Sequence, residues 1–255
     1  MRSAVIACGV LLSLLAVPFS ALAAGGHGPE LQDANIDLKD KASLQRGAKY
    51  FTNYCMGCHS LQYMRYNRMA EDLGIPEDQL RDNLIFGDAK PGDLMTNALR
   101  PEDGEKWFGT AIPDLTLVTR WRSPDWVYSY LKSYYLDDSR PYGVNNLVFP
   151  DVGMPNPFAH LQGLQKPVYA EGHDPAHGGG MGGAAHVVGL ELVKPGQLSE
   201  TEYDNLVRDL ANFLTYVGEP YKLERRSLGL YVLLFLGLMF ILAYYLKKEF
   251  WKDIH

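Results

Sequence analysis

The stretch NYCMGCHSLQ, residues 53–62, sets Cys55 and Cys58 two residues apart and places His59 directly after the second cysteine. The one other cysteine, Cys8, lies in an N-terminal run that reads as an export signal. In an oxidising compartment a cysteine pair normally becomes a disulfide. The same spacing also serves redox dithiols and half-sites for zinc. A zinc site needs a further Cys or His pair at its own spacing, and none follows. A dithiol of the thioredoxin kind needs a βαβ context, which is absent around residue 55. The adjacent histidine decides among these readings, because C-x-x-C-H is the attachment motif of c-type haem. Each thiol adds across one vinyl group of the porphyrin, and two intervening residues let both sulfurs reach one edge of the ring. The turn then aims His59 at the iron, for which imidazole is a good ligand.

A second strong ligand separates an electron carrier from a haem that binds small molecules, and methionine in that position raises the reduction potential. Of the methionines, Met56 lies inside the attachment turn. Met64 and Met69 follow it closely, Met95 sits in a polar loop, and Met181 lies in the glycine-rich HGGGMGGAAH. Met154, in FPDVGMPNPF, is flanked by Pro150, Pro155 and Pro157, which stiffen the chain. A stiff loop suits a ligand that must not move when iron changes oxidation state. A core methionine in a proline-rich turn is the alternative, with His160 and His186 as rival ligands.

Around the motif, residues 44–54 (LQRGAKYFTNY) predict a helix leading into the attachment turn, with Leu44, Gly47, Phe51 and Tyr54 on one face. Gly47 leaves room for a close helix crossing. Short helices are expected over 77–86 and over 124–135, the latter with Ser123 as cap and Pro124 in its first position. Residues 199–217 predict the clearest helix, opened by a Ser199/Glu202 capping box and closed at Gly218. No strand pattern stands out. Residues 141–195 read as loop, and three histidines within it (His173, His177, His186) sit in sequence too glycine-rich to preorganise a metal site.

The two ends place the chain. Met1-Arg2-Ser3, an apolar run to about Val17 and an Ala21-Leu22-Ala23 ending predict a signal peptide over 1–23, with an uncleaved anchor as the alternative. Residues 227–246 carry no charge and match the roughly 20 residues that a membrane-spanning helix needs. Lys247, Lys248 and Lys252 follow, which puts the tail in the cytoplasm by the positive-inside rule. Lys222, Arg225 and Arg226 on the other flank weaken that bias, and the export signal breaks the tie. The expected layout is a periplasmic haem domain over 24–221, then an anchor and short cytoplasmic tail over 222–255. The net charge of −6 argues against nucleic acid and suits a basic docking partner. Glu102, Asp103, Glu105, Asp137 and Asp138 are candidates for an acidic docking face.

Taken together, RGAKYFTNYCMGCHSLQYMRYNR, AIPDLTLVTR, VGMPNPF and the C-terminal DLANFLTYVGEPYKLERRSLGLYVLLFLGLMFILAYYLKKEFW resemble the cytochrome c1 family, the haem subunit of cytochrome bc1 complexes. The resemblance covers nearly all of the expected mature chain. It implies a mainly α, class I cytochrome c-like domain with long irregular loops and one C-terminal transmembrane helix. It implies covalent haem c on Cys55 and Cys58, His59 and Met154 as axial ligands, and Arg120 beside a haem propionate, with Arg122 close by. The position often held by tyrosine is Trp126 here, which offers one N–H donor only. The implied role is to pass single electrons from a Rieske iron–sulfur protein to a soluble or tethered cytochrome c. The setting would be a dimeric quinol–cytochrome c reductase that also contains cytochrome b. A tethered cytochrome c serving a terminal oxidase or dehydrogenase is the nearest alternative. A five-coordinate sensor or peroxidase is a further one.

Overall fold

The computed structural model describes residues 30–169 and 187–253. The expected signal peptide, the glycine-rich loop with its three histidines and Met181 lie outside the described residues. Helix α1, Lys41–Tyr50, begins at Asp40, whose carboxylate accepts from the Ser43 amide. A π-helical turn, Phe51–Cys55, continues it into the cysteine motif. Helices α2 (Tyr66–Leu73), α3 (Glu77–Asn83) and α4 (Pro101–Phe108) follow, then the short α5 (Val118–Trp121), α6 (Pro124–Lys132) and α7 (Ala159–Gln162). Helix α8, Glu200–Gly218, carries the predicted capping box: the Ser199 side chain accepts from the Glu202 amide, and the Glu202 carboxylate accepts from the Ser199 amide. Helix α9, Lys222–Phe250, ends the described chain. The architecture is mainly α, as expected.

The core is built where α1 crosses α8. Leu44, Ala48 and Phe51 from one side meet Leu210, Phe213 and Leu214 from the other, all buried. The crossing is close at Gly47. A Cβ built there would stand 2.2 Å from the Asp209 carbonyl and 2.5 Å from the Phe213 Cβ, so only glycine fits. At the same point the buried Asp209 carboxylate takes both arms of the Arg46 guanidinium, at 2.6 and 3.0 Å. A forked, charge-assisted pair of this kind fixes the register of the crossing as well as its distance. Asn212 adds a third tie, donating to the Asp37 carbonyl and the Ser43 hydroxyl.

Several expectations are corrected. Among the described residues three antiparallel ladders are present: β1 (Leu61–Arg65) with β2 (Leu94–Met95), β3 (Tyr134–Leu136) with β4 (Val144–Asn146), and β5 (Gly163–Tyr169) with β6 (Val187–Pro195). The first four strands are too short to alternate visibly, and β1 finds its partner some thirty residues away. The expected loop over 141–195 therefore contains β4, α7 and the β5–β6 pair. The helix expected over 124–135 stops at Lys132, because Tyr134 enters β3. The one expected over 77–86 ends at Asn83. Gly218 is the last helical residue of α8. A Cβ there would meet Thr119 Oγ1 at 3.2 Å and the Thr116 carbonyl at 3.3 Å, so its smallness admits the 116–120 segment against the helix.

Helix α9 is long and apolar enough to cross a membrane, and none of its residues is buried. An apolar helix that packs nothing of its own against the core is what an anchor requires. Its N-terminal approach is tied back to α2. The Arg68 guanidinium donates to Asp72 and to the Tyr221 hydroxyl, while Tyr216 OH donates to the same Asp72 carboxylate.

Candidate haem site

The π-helical turn delivers the cysteine motif in a tight bend. The amides of Cys58 and His59 both donate to the Cys55 carbonyl, at 3.0 and 2.8 Å. Cys55 is buried and Cys58 exposed. Burial pushes the Cys55 thiol up to about 12, with the neighbouring Cys58 adding to the rise. His59 is 8% exposed, and its Nδ1 lies 2.8 Å from the Pro113 carbonyl. A carbonyl only accepts, so Nδ1 carries the proton and Nε2 keeps its lone pair. Burial holds the imidazole below its ordinary pKa, the Pro113 contact and Asp114 opposing it, which favours the neutral ring a metal needs. The Pro113 segment is itself held along the motif. Leu115 donates its amide to the Ser60 carbonyl, and Gln62 donates to Asp114.

His59 opens onto a cavity of about 440 Å³, within the usual range for a cofactor site, roughly 300–1,000 Å³. Cys55 and Met154 share its lining, and apolar walls come from Val118, Val127, Leu131 and Leu214. The structure thus brings together Cys55, His59 and Met154, with Cys58 on the same turn. His160, the described rival ligand, is exposed, lies against Tyr54 at 5.8 Å between ring centroids and does not line the cavity.

Arg120 is not brought to the site. It is exposed, packs its Cγ beside Gly218 and does not line the cavity. Arg122 does line it. Arg120 lies in α5 and Arg122 caps its C-terminus with the backbone still helical, so two residues turn the side chain by about 200° and the arginines face opposite ways. The Arg122 guanidinium lies over three rings, at 4.1 Å from Trp121, 4.9 Å from Trp126 and 5.9 Å from Phe149. Trp126 serves as an aromatic platform: it stacks on Tyr130 at 5.0 Å and 8°.

The structure adds residues that the sequence did not single out. Asn146 is fully buried. Its amide nitrogen donates to the Tyr130 carbonyl, and its side-chain oxygen accepts from the amides of Val148 and Phe149. It anchors the start of the Met154 loop to α6. Arg140 braces the loop further along, donating to the Asp151 carboxylate and carbonyl. Tyr130 reaches Met154 Sδ with its hydroxyl, at 3.4 Å. Burial pushes the Tyr130 phenol up to about 12, and the contact with Tyr134 works against that rise. A lone buried asparagine or tyrosine gives no sequence signal that separates such bracing from ordinary core packing.

An apolar slot, a neutral imidazole with a free Nε2, a thioether and a guanidinium form a donor set that fits a haem. The Cytochrome C1 family model matches residues 32–254. The cytochrome c1 of Allochromatium vinosum is 63% identical, the match covering 96% of this chain and 98% of that one. A protein of Nitrosomonas europaea described as ammonia monooxygenase gamma subunit is 45% identical, over 96% of this chain and 97% of its own. The "cytochrome b-c1 complex catalytic subunit, mitochondrial" of Candida albicans is 24% identical, over 95% of this chain and 83% of its own. The chain therefore belongs to the cytochrome c1 family, membrane-anchored c-type cytochromes that carry covalently attached haem c and serve electron transfer.

Proposed function

We propose that this chain passes single electrons from a Rieske iron–sulfur protein to a soluble or tethered cytochrome c. It would do so within a dimeric quinol–cytochrome c reductase that also contains cytochrome b. Residues 1–23 act as the export signal. The haem domain stands in the periplasm, and α9 holds it to the inner membrane with Lys247, Lys248 and Lys252 on the cytoplasmic side.

The haem supplies a one-electron iron couple. Cys55 and Cys58 would hold it covalently, and His59 Nε2 and the Met154 thioether would be its protein ligands. Pro113 fixes the imidazole through Nδ1, and Asn146 and Arg140 fix the loop that carries the thioether. Arg122, which lines the cavity, would balance a propionate charge. The apolar walls exclude water, which keeps the reorganisation on electron transfer small. No acid, base or nucleophile is required for this work.

The observation that carries the reading is that His59 and Met154 line one apolar cavity, with the imidazole tautomer set by Pro113. The test is near-infrared absorption of the oxidised protein beside its Met154→Leu variant. The expected result is a weak sulfur-to-iron charge-transfer band that the substitution removes. Without that band in the unaltered protein the methionine is not on the iron, and a five-coordinate sensor or peroxidase becomes the better reading. Co-purification with cytochrome b and a Rieske protein separates the reductase from a tethered cytochrome serving an oxidase or dehydrogenase.

A further inference from the structure

Two phenols are buried behind the Met154 thioether. Tyr130 OH lies 3.4 Å from Met154 Sδ and 2.7 Å from Tyr134 OH, and Tyr134 OH lies 3.4 Å from the Met154 carbonyl oxygen. Each hydroxyl has one proton to give. Only two arrangements satisfy that limit and also place a proton in the 2.7 Å contact between the oxygens. In one, Tyr134 donates to Tyr130 and Tyr130 donates to the sulfur. In the other, Tyr130 donates to Tyr134 and Tyr134 donates to the Met154 carbonyl. The distances choose between them. An O–H···O bond normally spans about 2.5–3.0 Å, so 3.4 Å to the carbonyl is a poor bond. The same length to sulfur, a much larger atom, is an ordinary contact.

We propose that the relay Tyr134 to Tyr130 to Met154 Sδ tunes the reduction potential of this cytochrome, with Tyr130 as the positioning residue. The proposal rests on Met154 being an iron ligand. A thioether sulfur has two lone pairs. One binds the iron, and the hydroxyl proton of Tyr130 takes the other. That bond draws electron density from the sulfur and points the positive end of an O–H dipole at the iron. Ferric iron carries the extra positive charge, so both effects disfavour it, and the potential rises. Tyr134 strengthens the effect by donating to Tyr130, since chained hydroxyl bonds polarise one another. The geometry is held from three sides. Trp126 stacks on the Tyr130 ring, Tyr134 meets it edge-on at 5.4 Å, and Asn146 binds the Tyr130 carbonyl.

The experiment is an optical redox titration of the detergent-solubilised full chain, with Tyr130→Phe and Tyr134→Phe beside it, and near-infrared spectra of all three oxidised. Phenylalanine keeps the stack on Trp126 and removes only the hydroxyl. The expected result is a lower midpoint potential for Y130F, so that less than half of it is reduced at the wild-type midpoint. A smaller fall is expected for Y134F, with the sulfur-to-iron band shifted but present in both. An unchanged midpoint in Y130F with the band retained overturns the proposal, even if thermal stability falls, because a packing role alone would do that. Loss of the band in Y130F overturns it too, since the tyrosine would then hold the ligand in place rather than tune it. A wild type without the band sinks the ligation reading and this proposal together.

Discussion

Arg120 in α5 and Arg122 at its C-terminal cap show how much a single residue's direction matters. Arg120 and Arg122 are equivalent by composition, but only Arg122 reaches the cavity. On the proposed function, replacing Arg122 by alanine would remove a positive charge from the haem cavity and leave a propionate uncompensated. Both effects favour ferric iron, so the midpoint potential is expected to fall. The loss of three ring contacts should also lower stability, by about 0.5–1 kcal/mol for an exposed cation–π site. Arg120→Ala should leave the potential unchanged and alter stability by no more than about 0.5 kcal/mol, the usual range for surface substitutions. Redox titration and thermal melting of the two variants check this. His59 illustrates the complementary case. Its role is legible in the motif, but its tautomer is set by Pro113, fifty-four residues away.

At the scale of elements, the α1–α8 crossing positions the attachment turn, because α1 runs without a break into the π-helical segment and the cysteines. Whatever shifts α1 shifts His59. Gly47→Ala forces the two backbones apart at their closest point, where the added carbon would sit 2.2 Å from the Asp209 carbonyl. Overpacking of this kind costs about 1–3 kcal/mol. For a domain of this size the melting temperature should drop by roughly 2–4 °C per kcal/mol, read by thermal melting of the haem protein. The variant should also weaken the Arg46–Asp209 pair, whose two bonds span the same crossing. Helices α6 and α8 were foreseeable from local devices, the Ser123 cap and the Ser199/Glu202 box, whereas α4, Pro101–Phe108, lies in sequence that reads as irregular. The strands were not foreseeable, because β1–β2 and β3–β4 owe their existence to partners across the fold and β5 contains a proline, Pro167.

For the whole molecule, the division of labour between haem domain and anchor is sharp. No residue of α9 is buried, whereas the C-terminal half of α8, Asp209 to Gly218, is buried throughout. A chain cut after Tyr221 retains the core, the cavity and the Arg68–Tyr221 tie. It is expected to remain in detergent-free buffer after ultracentrifugation, with the haem spectrum of the full chain. If the spectrum changes, the anchor contributes to the site. Of the acidic residues expected to form a docking face, Glu102, Glu105 and Asp138 are exposed, Asp103 is paired with Arg100, and Asp137 accepts from Ser139 and Asn145.

The cysteine motif, the capped helices and the uninterrupted apolar run were determined by sequence alone, because each depends on residues within a few positions of one another. Covalent haem, a helical scaffold and a membrane anchor follow from such local patterns. Packing, by contrast, sets relations between groups far apart in the chain. It turned Arg122 rather than Arg120 toward the cavity, laid Pro113 against His59, closed the 133–154 region around Asn146 and set two tyrosines behind Met154. Distance and direction between such groups are fixed by packing at the α1–α8 crossing and along α6, and no spacing in the sequence encodes them.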